Sequence, residues 1–89
     1  DPRASQVLLQ AAKSFKELND WSVEGVETVV RELPAKAGTP KKFTFQLLRG
    51  AVTGRLVTPG LFETISALGP ERTLERLRLA SRLAGEGED

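Results

Sequence analysis

Apolar residues recur at helical spacing along nearly the whole of this 89-residue chain, and this periodicity constrains the fold more than any other feature. No stretch alternates apolar and polar residues for long enough to predict a strand. The chain is therefore predicted to be all-α, a single compact bundle over residues 1–84. Three stripes carry the pattern: Leu8, Ala11 or Ala12, Phe15 and Leu18; Val23, Val26, Val30 and Leu33; and Leu61, Ile65 and Leu68 with Phe62.

Prolines and polar caps predict where the first two helices begin and end. Asp1 and Pro2 suit an N-cap and a first helical position, and Ser22 suits the N-cap of a second helix. That second helix is predicted to end near Leu33, because a proline follows it. Residues 34–40 are then expected to form a loop.

The same signals recur at the middle of the chain. Thr39 and Pro40 are predicted to open a third helix, which Gly54 ends in a left-handed conformation. Thr58 is predicted to cap a fourth helix with Pro59 as its first residue.

Gly69 is predicted to end the fourth helix, and the last helix is expected to run from Pro70 to about Leu83. About five helices result. Residues 85–89 hold only glycine and acidic residues and are predicted to be a disordered tail.

Composition excludes several kinds of chemistry. The chain contains no cysteine, histidine or methionine, which removes disulfides, thiol nucleophiles, imidazole catalysis and the usual soft metal sites. Its 12 acidic residues are accounted for by solvated helix surfaces and helix ends. We therefore expect no catalytic residue, no metal and no cofactor in this chain.

Two features of the sequence concern its compartment and origin. No apolar run approaches the roughly 18 residues of a membrane span, and the first residues do not resemble a signal peptide. The sequence does not begin with methionine, and we expect it to be a piece of a longer protein or a processed one.

The charge is unevenly distributed. Residues 33–62 contain five basic residues and no acidic one, whereas residues 1–32 and 63–89 each contain four basic and six acidic residues. A net charge of +1 therefore conceals a basic middle segment, for which an anion is the natural partner. The five basic residues are Lys36, Lys41, Lys42, Arg49 and Arg55.

Part of this segment, residues 49–62, combines the groups that bind single-stranded RNA. Arg49 supplies a planar donor that can hydrogen-bond or stack, the turn at residues 58–60 supplies free amides, and Leu61 and Phe62 supply apolar surface. The same residues equally suit a structural role, in which Thr58 caps a helix and the apolar pair lies in the core. The residues alone leave both interpretations open.

Four ordered blocks resemble the C-terminal anticodon-binding domain of glutamyl-tRNA synthetases. That family typically has a tryptophan-led helix, then Pro-Leu-Arg-x-Ala-Leu-Thr-Gly, then Ser or Thr-Pro-x-Leu-Phe-Glu, and then Leu-Gly-Lys-Glu-Arg. The chain departs from this form at Leu47, in place of proline, and at Pro70, in place of lysine. The matching blocks are residues 21–27 (Trp-Ser-Val-Glu-Gly-Val-Glu), 47–54 (Leu-Leu-Arg-Gly-Ala-Val-Thr-Gly), 58–63 (Thr-Pro-Gly-Leu-Phe-Glu) and 68–77 (Leu-Gly-Pro-Glu-Arg-Thr-Leu-Glu-Arg-Leu).

The resemblance implies a set of RNA contacts. In this family the arginine of the Leu-Arg block and the Thr-Pro-x-Leu-Phe block contact anticodon nucleotides. The residues that take this role here are Arg49, Thr58, Pro59, Leu61 and Phe62. On charge alone, Lys41, Lys42 and Arg55 are assigned to backbone phosphates, contacts that add salt dependence but no sequence information.

The resemblance also implies a division of labour. The catalytic signatures of the family contain histidine and methionine, so this chain cannot activate glutamate itself. We expect it to be a monomer that binds tRNA, neither membrane nor DNA, in bacterial cytoplasm or an organelle, while ATP and Mg²⁺ belong to a separate catalytic domain. Whether the parent enzyme accepts glutamate tRNA alone or also glutamine tRNA stays open.

Two rival hypotheses belong to other classes. In the first, Leu61, Phe62 and Ile65 form an exposed anchor for a partner helix. In the second, residues 59–68 and 70–83 form a DNA-binding helix-turn-helix, although glutamates in the first two turns of its second helix suit a phosphate groove poorly.

Overall fold

A computed structural model describes residues 3–54 and 60–87, with the side chains of residues 85–87 excepted. The described residues form four α-helices and no strand, which confirms the all-α prediction. The number of helices differs slightly from the predicted five or so, because the last two are joined at Gly69 and are counted here as one element. The helices are α1 (Arg3–Lys16), α2 (Val23–Ala37), α3 (Lys41–Thr53) and α4 (Leu61–Gly87).

Helix α4 contains one interruption, at Gly69, where the backbone adopts φ 78° and ψ 174°. Glycine reaches positive φ without a Cβ penalty, and Pro70 has the φ needed to resume the helix. The stop and start signals at these two residues therefore produce a bend within one element, with no loop between two.

Helix α2 extends past the proline that was predicted to end it. Pro34 lies in its last turn, and the helix ends at Ala37, with Gly38 at φ 69° as the C-cap. Pro34 cannot donate a backbone hydrogen bond, but its carbonyl still accepts from the backbone N–H groups of Gly38 and Thr39. The predicted loop over residues 34–40 is therefore reduced to residues 38–40.

The ends of α3 lie where the sequence placed them. Pro40 is the N-cap, and Gly54 ends the helix at φ 74°, with its N–H donating to the carbonyl of Gly50. The buried hydroxyl of Thr44 donates to the Pro40 carbonyl at 2.9 Å and lies 2.7 Å from the hydroxyl of Thr39. This short polar chain fixes the first turn of α3.

Helix α4 begins and ends later than predicted. It begins at Leu61, after Gly60 at φ 64°, and the Gly60 carbonyl accepts from the backbone N–H of Thr64. It ends at Gly87, so it takes in the first three residues of the tail predicted to be disordered. The predicted caps at Asp1, Pro2, Thr58 and Pro59, and the tail residues 88–89, lie outside the described residues.

The core lies between all four helices, and α1 packs most extensively against α4. Within the part of the chain that the structure describes, no helix is long and apolar enough to cross a membrane. The predicted stripes supply most of the core, which consists of Val7, Leu8, Ala11, Phe15, Val26, Val30, Leu33, Leu48, Val52, Leu61, Ile65 and Leu77.

Trp21 joins three helices at the turn between α1 and α2. Its ring lies 5.5 Å from that of Phe15, centroid to centroid, and its indole N–H donates to the Leu18 carbonyl at 3.1 Å. Its own carbonyl accepts from the hydroxyl of Ser66 on α4 at 2.6 Å. The confirmed N-cap, Ser22, follows immediately and accepts from the N–H of Gly25.

Candidate nucleic-acid interface

One face of α3 forms a basic groove with an aromatic residue at its centre. Lys41, Phe45 and Arg49 are spaced four residues apart and therefore lie along the same side of the helix. Lys42 and Gln46 complete the lining of an open groove of about 510 Å³, which we call the α3 groove. None of the described residues that line it is a carboxylate.

The central aromatic residue of the α3 groove connects it to α4 and α2. Phe45 meets Phe62 of α4 edge to face, with ring centroids 6.4 Å apart and planes at 81°. Each ring carries a cation: the Lys41 ammonium lies 5.5 Å from the Phe45 centroid, and the Arg31 guanidinium of α2 lies 5.6 Å from that of Phe62. Arg31 is also paired with Glu27 at 2.6 Å.

Electrostatics at the beginning of α3 favour an anion. Lys41 and Lys42 are exposed in the first turn, where the helix dipole is already positive, and no acidic residue lies there. Cations at this end of a helix are unfavourable by about 0.3–1 kcal/mol each at low salt. A bound phosphate would relieve this repulsion.

Arg49 lies toward the other end of α3, where the backbone is firmly held. The Thr53 hydroxyl donates to the carbonyl of Arg49 at 2.5 Å. From α4, the guanidinium of Arg76 donates to the carbonyl of Val52, one of the last acceptors that the helix itself leaves unpaired. The half-buried Arg49 side chain is therefore carried on a fixed turn.

The structure brings together only some of the predicted site residues. Arg49, Lys41 and Lys42 line the α3 groove, and Phe62 reaches it through Phe45. Arg55, Thr58 and Pro59 lie outside the described residues.

Leu61 does not contribute the apolar surface expected of it. Its side chain is 4% exposed and belongs to the core, with Ile65 one turn later. Residues i and i+4 share one helix face, so these two point inward together, while Phe62 is left half-buried. A role for Leu61 in base contact would have to use its backbone.

The same burial overturns the first rival hypothesis. Its exposed anchor needs Leu61 and Ile65 on the surface, but Ile65 is fully buried. The helix-turn-helix hypothesis gains no support, because a single non-helical residue, Gly69, separates its two helices, whereas that motif has a turn of three to four residues.

Sequence reasoning missed Phe45, Gln46 and Arg31. The first two could have been found from their position between Lys41 and Arg49 on one helical face. No local signal identifies Arg31, because it comes from another helix and from outside the basic segment.

A second groove lies on the neighbouring face of α3 and is mostly apolar. It has a volume of about 390 Å³ and separates α3 from α1 and the end of α4. Leu47, one of the two departures from the family motif, lines this groove and not the basic one. The lining residues are Leu8, Phe43, Gln46, Leu47, Gly50, Ala51, Ala80, Leu83 and Ala84, and we call it the apolar groove.

Most of the chain is similar to a known protein family and to known ligases. Residues 1–81 match the model of a family described as an anticodon binding domain. Glutamate–tRNA ligase 2 of Pseudothermotoga lettingae is 56% identical over 82% of this chain, and that of Fervidobacterium nodosum is 49% identical over 86%. Glutamate–tRNA ligase 2 of Thermosipho melanesiensis is 42% identical over 81% of it.

In each of these three relatives the match covers 16% of the relative's length, so this chain corresponds to a small part of each ligase. The family match, in contrast, spans nearly the whole chain. This chain therefore belongs to the anticodon-binding-domain family found in glutamate–tRNA ligases.

Proposed function

We propose that this chain binds the anticodon loop of a glutamate-accepting tRNA as the C-terminal part of a glutamate–tRNA ligase. The observation that carries the proposal is the α3 groove, in which Arg49, two lysines and Phe45 converge and no carboxylate is found among the described residues. Cations for phosphates beside an aromatic surface for unstacked bases are the combination that single-stranded RNA requires.

The proposed mechanism is recognition followed by orientation. Arg49 donates to a base edge, and the ring of Phe62 contacts an unstacked base. Thr58 and Pro59 are proposed as further base contacts from the resemblance alone. Binding of the loop here orients the tRNA so that its acceptor end reaches a catalytic domain elsewhere in the ligase. Glutamylation, with ATP and Mg²⁺, takes place in that domain.

Phosphate contacts are proposed for Lys41, Lys42 and Arg55. The first two stand at the positive end of α3, where an anion is favoured. Each such contact makes affinity fall with added salt, whichever bases are present. We further propose that the chain acts as a monomer, in bacterial cytoplasm or an organelle.

Titration with RNA tests the role of Arg49. The chain and its Arg49→Ala variant are titrated with anticodon stem-loops that differ by one base, at two salt concentrations. Loss of a base-edge contact should cost about 1–3 kcal/mol with the cognate loop and reduce discrimination at one base. Arg82→Ala, which removes an exposed arginine at the far end of α4, is the matched control.

Two outcomes would contradict the proposal. Equal affinity of wild type and Arg49→Ala for the cognate loop would reject the contact. Equal affinity of the wild type for every stem-loop would reject anticodon recognition by this chain.

A further inference from the structure

We infer that the ring of Phe45 is the stacking platform for one base of the bound single-stranded RNA. This inference rests on the proposed function and extends it to a residue that the sequence did not indicate. The ring lies at the centre of the α3 groove and is half-buried, with three cations and the Gln46 amide around it.

The position of the Phe45 ring is fixed, as a platform requires. It packs against the core cluster on one side and meets Phe62 edge to face on another. An aromatic ring held in this way loses little conformational freedom when a base stacks on it. The groove beside it, at about 510 Å³, has the volume of a small-ligand pocket.

Lys41 covers the Phe45 ring in the free protein, and the energetics favour its displacement. A contact between a cation and a ring at an exposed site, such as that of Lys41 with Phe45, shifts an equilibrium by about 2- to 5-fold. A base stacked on an aromatic side chain strengthens RNA binding by roughly 5- to 150-fold. The base therefore replaces the ammonium, which moves to the phosphate of the same nucleotide.

Phe43 provides an internal comparison for Phe45. It is also half-buried on α3, and it carries the Arg3 guanidinium 5.0 Å from its ring centroid. However, it lines the apolar groove, and the described residues that line this groove include no charged one. A general need for aromatic packing on α3 would affect both residues, whereas RNA stacking affects Phe45 alone.

The test compares Phe45→Leu, Phe45→Tyr and Phe43→Leu in titrations with cognate and single-base-variant anticodon stem-loops. Phe45→Leu keeps apolar volume but loses the ring face, so its affinity should fall at least 5-fold, by the same factor for every stem-loop, because stacking tolerates any base. Phe45→Tyr and Phe43→Leu should bind as the wild type does. Arg49→Ala should instead reduce discrimination between the loops.

Wild-type affinity of Phe45→Leu, together with weakened binding by Arg49→Ala, would overturn the platform but leave the proposed function intact. If neither Phe45→Leu nor Arg49→Ala weakened binding of the stem-loops, the proposed function would be contradicted as well. If Phe45→Leu does not fold, the inference is tested by NMR on the wild-type chain, through the ring proton signals of Phe45. Stacking should move them upfield when the stem-loop is added, and unchanged signals would refute the inference.

Discussion

Gly25 is a residue whose replacement the fold tolerates poorly. A Cβ at this position would lie 2.0 Å from the carbonyl oxygen of Asp20, closer than any real contact. The first turn of α2 packs directly onto the turn that precedes it, and the N–H of Gly25 donates to the Ser22 hydroxyl at 3.2 Å. The close approach of two backbone segments, and not a positive φ, requires glycine here.

Gly25→Ala should therefore destabilise the chain by about 1–3 kcal/mol, the usual range when an added methyl group forces a backbone shift. The measurement is denaturant unfolding followed by circular dichroism. Gly50→Ala is the matched control, because nothing lies within 4 Å of a Cβ built there. That change, inside α3, should stabilise by about 0.5–1 kcal/mol. Equal stability of Gly25→Ala and wild type would contradict the steric argument.

Asp20 makes the turn between α1 and α2 sensitive to acid. The backbone N–H of Ser22 donates to its Oδ1 at 3.1 Å and, together with the Ser22 hydroxyl, holds the pKa of this carboxyl below its ordinary value of 3.8. A lowered folded-state pKa gives stability that is present above pH 3.8 and is lost as the pH falls through the folded-state pKa.

The carboxyl signal of Asp20, followed by NMR during an acid titration, should therefore have a midpoint below 3.8. In Ser22→Ala the midpoint should rise only part of the way back, because the larger cause is the backbone N–H. A wild-type midpoint at or above 3.8 would refute the assignment.

Leu61 and Phe62 illustrate how far single residues could be predicted from the sequence. Neighbours on a helix point about 100° apart, so two adjacent apolar residues can be buried to different extents. The residues alone left a core role and a surface role open for both, the family resemblance implied RNA contact for both, and packing buried Leu61. The choice depends on how α4 is rotated against α1 and α3, which no local pattern specifies.

Among the elements, α3 carries most of the candidate site, and its ends differ in character. Its beginning holds two lysines against the helix dipole, with no side chain as a cap. Its end is held by Gly54 and by the guanidinium of Arg76 from α4. The two lysines at the beginning of α3 therefore lower the stability of the helix, and the contacts at its other end keep Arg49 in place.

Reversing the charge of Lys42 should separate stability from binding. Lys42→Glu places a favourable charge at the beginning of α3 and should raise the free energy of unfolding by about 0.3–1 kcal/mol at low salt. The same change should weaken binding of the stem-loop and reduce the dependence of affinity on salt. Thermal unfolding and salt-dependent titration measure the two effects.

The control for this reversal is Lys13→Glu, which makes the same charge change in the last turn of α1. A cation is favourable there, so this variant should lose stability and leave the salt dependence unchanged. If Lys42→Glu bound RNA as the wild type does, Lys42 would have no phosphate contact.

A positive-φ glycine made one helix end predictable but not another. Gly54 was identified from the sequence for this reason. Pro34 misled the prediction, because proline ends a helix only when the residues after it lack helical partners, and here Gly38 supplies the end. Gly69 was identified as an interruption, but whether a positive-φ glycine gives a bend or a loop depends on how the flanking turns pack.

The whole molecule presents two different surfaces on neighbouring faces of α3. The α3 groove is basic and the other groove is apolar, with Gln46 on the ridge between them. The uneven charge along the sequence predicted that a basic, anion-binding surface would form. It did not predict which residues form that surface, because Phe62 and Arg31 reach Phe45 from two other helices through tertiary packing.

The most direct test of the account is to map the bound anticodon stem-loop by NMR on the isotope-labelled chain. We predict the largest chemical-shift changes at Lys41, Phe45, Arg49 and Phe62, with little change at Leu83 in the apolar groove. Largest changes around the apolar groove, with an undisturbed α3 groove, would contradict the central claim that the RNA binds on the basic face of α3.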